Sequence, residues 1–122
     1  YENTGILTAV SEDHIDQEPY FIYSSVYSNG KNWAVVSEAG EHYPHLRTLS
    51  SKAAFAWDVI YGTEYTQTIR GRIENLPPSE KGWPAGVYEE TGNINAAYTL
   101  NTNAIILEAL HYKAFGPLWA LP

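Results

Sequence analysis

Residues 82–117, GWPAGVYEETGNINAAYTLNTNAIILEALHYKAFGP, decide how the chain is read. Their first half is punctuated by Gly82, Gly86 and Gly92 and carries Trp83, Tyr88, Glu89 and Glu90. In the second half, Ile105, Ile106, Leu107, Ala109, Leu110, Tyr112, Ala114 and Phe115 cover most of a helical circumference, leaving Glu108, His111 and Lys113 polar. A helix of that composition is expected to be buried on more than one side. Asn101, Thr102 or Asn103 can cap its first amides, and Gly116 before Pro117 stops it.

Working outward, residues 77–100 read as one long loop, and a loop of that length in a compact domain is usually functional. Before it, SSKAAFAWDVIYG (residues 50–62) reads as a largely buried helix capped by Ser50 or Ser51. Thr63 then restarts a second, amphipathic helix through Tyr65, Ile69, Ile73 and Leu76, with Pro77 and Pro78 ending its neighbourhood. Asp58 lies inside the first of these helices, where a carboxylate is costly unless paired; Lys52 is badly spaced for it, so a distant donor is implied. The same argument applies to Glu108.

Toward the amino terminus, the runs YFIYSSVY and KNWAVVS flank Asn29 and Gly30, a hairpin signal with strands near residues 20–27 and 33–36. Residues 1–19 read as a loop or one short extended piece. His42 and His45 are interrupted by Pro44 and have no clear third ligand, and the acids of residues 11–16 lack the calcium-loop pattern. No metal or cofactor is called for.

A formal charge of -7, with the acids scattered, disfavours nucleic acid and anionic membranes as partners, and no apolar run reaches membrane-spanning length. Aromatic residues make up 14% of the chain, ten of them Tyr and four Trp, a composition that suits sugar-stacking surfaces as well as wet cores. There is no Cys, which removes disulfides and thiolate zinc sites, and no Met. The missing initiator suggests either a removed leader, which fits a periplasmic or extracellular location, or a cut from a larger protein.

The stretches PYFIYSSVYSNGKNW, RTLSSKAAFAW, GWPAGVYEETG and TLNTNAIILEALHYKAFGPL, in that order, resemble the carboxy-terminal part of the bacterial domain of unknown function 3131. That family resembles glucoamylase-like glycan enzymes. The resemblance implies a mainly α fold with a β-hairpin, in which residues 1–122 form one segment, the carboxy-terminal portion of a larger helical domain: a partial α/α toroid of carboxy-terminal helices, hairpin and long loop. The absent part of that domain, or self-association, would then cover Trp57, Ile60, Ile106 and Leu110. It further implies a glycan partner and a cavity reached by Glu89, Glu12, Tyr88 and Asn101. Two-carboxylate glycoside hydrolysis would use Glu89 first and Glu12 or Asp13 second, with Trp83, Tyr88, Glu90 and Asn101 holding substrate. The competing reading is a binding or structural module that cleaves nothing. Two carboxyls flanking one cleft favour hydrolysis, and a single acid beside aromatic rings favours binding. Glu89→Gln is expected to leave folding nearly unchanged.

Overall fold

The structure, a computed structural model, describes residues 1–28, 30–77 and 79–120. In chain order its elements are the strands Glu12–His14 (β1), Phe21–Ser24 (β2), Tyr27–Ser28 (β3), Lys31–Asn32 (β4), Val35–Val36 (β5) and Thr48–Ser50 (β6), then the helices Ser51–Tyr61 (α1) and Glu64–Glu74 (α2). The strands Gly86–Tyr88 (β7) and Ile94–Asn95 (β8) and the helix Leu100–Phe115 (α3) follow. Strand order is β1-β2-β5 in one antiparallel sheet, β3-β4 in a second and β6-β7-β8 in a third.

The expected mainly α, partial toroid is therefore wrong: with 37% helix and 19% strand in three small antiparallel sheets, the fold is mixed α/β. The reason lies largely in residues 77–100. This stretch is no open loop, because β7 pairs with β6 on one side and β8 on the other, which buries Val87 and Tyr88. Gly86 permits that approach, since a Cβ there would collide with the Leu49 carbonyl oxygen and the Thr48 methyl.

The hairpin expected around residues 29 and 30 is present in broken form. Ser28 pairs with Lys31, and Tyr23 pairs with Val36, so the two runs do fold back on each other. Asn29 itself lies outside the described residues, as does Pro78. Trp33, with φ of 54°, interrupts the second run before β5 resumes it. The extended piece in residues 1–19 is β1, which adds to β2 with Asp13 opposite Ile22.

Two cores result. Phe55, Ile69, Ile73, Val87 and Ile106 anchor the larger, where helices meet the β6–β8 sheet. Ile15, Ile22, Val35, Leu46 and Tyr88 form the smaller, under the β1-β2-β5 sheet. At roughly 1.5–3 kcal/mol per fully buried aliphatic or aromatic side chain, both contribute substantially.

The helix ends follow local chemistry. Thr63 Oγ1 accepts from the Thr66 amide at 3.2 Å and starts α2. For α3 the cap is Thr99 rather than residues 101–103, its Oγ1 accepting from Thr102 N at 3.1 Å. Gly62, in the left-handed region, stops α1, and Gly116, with φ of 83°, stops α3. The expectation that α3 is buried on several sides fails. Ile106 and Thr102 are buried on its inner face, while Leu107, Glu108, Tyr112 and Phe115 are exposed. Only Trp57 and Ile60 of the four apolar residues expected to lack cover are exposed; Ile106 is wholly buried and Leu110 half-buried.

Candidate functional site

The acids singled out from the sequence fall into separate surroundings. Glu89 follows β7 directly and lines a cleft of about 300 Å³ with Tyr1, Asn3, Thr8, Trp33 and Arg47. Its side chain is only 6% exposed. Arg47 Nε donates to Glu89 Oε2 at 2.8 Å, and Thr8 Oγ1 donates to Oε1. The same guanidinium donates through Nη1 to the Trp33 carbonyl at 2.9 Å and lies 5.4 Å from the centre of the Trp33 ring. Glu89, Arg47 and Trp33 thus form one connected unit. Holding a tryptophan at positive φ costs on the order of 1–3 kcal/mol, and residues so held concentrate at functional sites.

Arg47 and Trp33 were not among the residues picked from the sequence. The signal that could have found them is slight: an Arg directly before β6, and a Trp closing the Asn-Gly hairpin.

Glu12, Asp13 and Asn101 are gathered near the start of α1. Lys52, on the first turn of α1, is buried and donates to Glu12 Oε1 at 2.8 Å and to Asn101 Oδ1 at 2.9 Å. That ammonium holds the Glu12 carboxyl below the ordinary carboxylate value. Glu12 and Lys52 line a smaller cleft of about 240 Å³ walled by Trp57, Ile60 and Ile105.

Asp13 belongs to the opposite face of β1, because side chains alternate along a strand. It is 1% exposed and receives one hydrogen bond, from Ser50 Oγ at 2.9 Å, while its Oδ2 is buried without a partner. Ser50 stands at the cap position of α1 but makes no side-chain cap there. Burial pushes the Asp13 carboxyl up to about 7, against the smaller opposing pull of the Ser50 hydroxyl and the Lys52 charge.

The remaining residues have structural surroundings. Trp83 packs edge-on against Phe55 in the larger core, and its backbone is clasped by the Asn103 amide, which accepts from Trp83 N at 2.9 Å and donates to Trp83 O at 3.0 Å. Tyr88 is buried and donates to Asp16 Oδ1 at 2.6 Å; burial, helped by that carboxylate, raises its phenol to about 12. Glu90 is exposed in the β7–β8 connection. The structure therefore brings Glu12 and Asn101 together through Lys52, sets Asp13 behind them, and keeps Glu89 in a different cleft.

Glu89→Gln is accordingly not expected to be neutral for folding, since it removes the charge that satisfies Arg47 inside a closed pair. Asp58 has the distant donors that its position demanded: Arg70 Nη1 at 2.6 Å and Lys113 Nζ at 3.3 Å. Glu108, by contrast, is exposed and needs none.

Among the described residues, no group of three or more His, Asp or Glu is placed to hold a metal ion, and no helix is long and apolar enough to cross a membrane. No curated protein and no solved structure matches the chain. The family model described as "Protein of unknown function (DUF3131)" matches residues 1–116, the span that holds both clefts and all three helices, and the chain belongs to that family.

Proposed function

We infer that the protein is glycan-directed and that it holds its glycan in the Trp33–Arg47–Glu89 cleft without cleaving it. The observation that carries this reading is a single carboxylate, Glu89, set beside an exposed tryptophan ring in a cleft that neither Glu12 nor Asp13 lines. An indole face lies readily under a pyranose ring, and the Tyr1, Asn3 and Thr8 side chains add hydroxyl and amide partners for sugar hydroxyls. Both oxygens of Glu89 are already engaged by Arg47 and Thr8, so this carboxylate is poorly placed to give or take a proton. The resemblance of the family, rather than of this chain's own motifs, to glucoamylase-like glycan enzymes supports the substrate class.

The hydrolytic reading stands second, on one observation: Glu12 is held low while neighbouring Asp13 is raised to about 7, the kind of split that separates base from acid. Their positions on opposite faces of β1 weigh against it.

The test is titration of neutral oligosaccharides followed by tryptophan fluorescence, run beside an assay for released reducing ends. Binding without new reducing ends is expected, with affinity falling at least tenfold in Trp33→Ala, an effect of about 1.4 kcal/mol or more. Unchanged binding in that variant would remove the cleft from the site. Release of reducing ends abolished by Glu12→Gln would transfer the function to the hydrolytic reading.

A further inference from the structure

The outer face of α1 and α3 is apolar well beyond the Glu12–Lys52 cleft, with which it shares Ala56, Ile60 and Ile105. Ala56, Val59 and Ile60 of α1 and Ile105, Ala109 and Tyr112 of α3 line a groove of about 380 Å³ between the helices, with Glu108 its one charged wall among the described residues. Around it Trp57, Ile60, Tyr61, Tyr112 and Phe115 each leave between 41% and 72% of their surface in water. Scattered exposed apolar residues are ordinary, but a contiguous set flanking a groove marks an interface.

We propose that this face pairs with the same face of a second copy of the chain, Ile60 of each copy entering the groove of the other about a two-fold axis. Three features favour a second copy over a foreign partner. Ile60 is at once a wall of the groove and a projection beside it, so one surface supplies both ridge and receptor, as an isologous contact requires. The five projecting side chains offer on the order of 500 Å² per copy, at 150–250 Å² for a whole aromatic side chain. With the small residues of the groove floor this approaches the roughly 800 Å² per partner of a standard interface.

Charge is the third. Two copies at -7 each repel, and they can meet only where acids are few or already neutralised. That condition holds on this face: Glu12, in the adjoining cleft that shares Ala56, Ile60 and Ile105 with the groove, is paired with Lys52, and among the described residues Glu108 is the one acid lining the groove itself. Glu108 lines the groove but is exposed, and the contact must leave its carboxylate in water. The face has no charge pattern that would select a foreign partner, and charge-poor apolar contacts are the mark of homodimers.

The experiment is light scattering on the purified chain across a concentration series, with two variants. Wild type is expected at twice the chain mass, and Ile60→Glu at the chain mass with an unchanged circular dichroism spectrum. A wild-type monomer throughout the series overturns the proposal, as does an Ile60→Glu variant that remains dimeric. Because the sequence has no Cys, Ile60→Cys gives a second readout that does not depend on the Glu variant folding. Mild oxidation should link it into dimers far faster than Gln67→Cys, an exposed position on α2. Equal linking rates at the two positions would also overturn the proposal.

Discussion

Asp58 and Asp13 are both buried carboxyls, at 3% and 1% exposure, yet the chain treats them oppositely. Asp58 lies where all three helices converge, and α2 and α3 each send it a cation. Asp13 lies at the seam between the β1 strand and the start of α1, and a single hydroxyl reaches it. A helix layer can aim long side chains from two neighbours at one point. A three-residue edge strand packed on a helix start offers few such directions. The difference teaches that an acid's burial says little until its donors are counted, and that the under-supplied acid is the one whose protonation the fold controls.

The contrast can be broken at its strong end. Arg70→Ala takes from Asp58 its shortest contact and leaves it Lys113 at 3.3 Å, whose side chain is half exposed, and a long contact to Thr66. It should cost roughly 1–3 kcal/mol in urea unfolding, because the buried carboxylate is left under-supplied with donors. A loss below about 0.5 kcal/mol, the level of ordinary surface changes, would mean Asp58 needs no more support than Asp13.

At the weak end the signature is pH. The folded state holds the Asp13 proton up to about pH 7, whereas an unfolded carboxyl of this type loses it near 3.8. Between those values the folded state binds more protons, so this group's contribution is fully present below the unfolded value and is lost as pH rises toward 7, levelling off beyond it. The loss is on the order of 4 kcal/mol across the window. Asp13→Asn should flatten the slope and raise stability at pH 8 by a similar amount, measured by denaturant unfolding at several pH values. An identical slope in the variant would assign the titration to another group.

The smallest effect belongs to Glu12, whose side chain is half exposed while its partner Lys52 keeps Asn101. Glu12→Gln should cost about 1 kcal/mol or less and lose its effect in high salt, as partly exposed pairs do. A larger, salt-insensitive cost would place Lys52 in the same class as the Asp58 cluster.

Much of the helical frame was legible. Glycine stops, threonine caps and periodic apolar residues are local signals; α1 and α2 begin and end, and α3 ends, within two residues of where those signals put them, while α3 starts earlier than residues 101–103 implied, under a Thr99 cap. The β6–β8 sheet was not legible, because β7 and β8 are three and two residues long and too short for alternation to show. The same brevity hid the fate of Asp13: in SEDHID it looks solvated, and only pairing with β2 turns it inward. Of the candidate site, Glu89 was visible as a residue, but Arg47 lies 42 positions away and Trp33 farther still. No spacing rule joins them.

By itself the sequence determined where the helices stop, the demand of Asp58 for a distant donor and the exclusion of cysteine chemistry. Each rests on composition or on neighbours within a turn or two. Tertiary structure alone decided which acids share a cleft, which face of α3 is left bare, and that the glycine-rich stretch is strand rather than loop. Those outcomes depend on hydrogen bonds and packing between residues 40 to 81 positions apart, such as Lys52 with Glu12 and Thr8 with Glu89, and local patterning has no term for them.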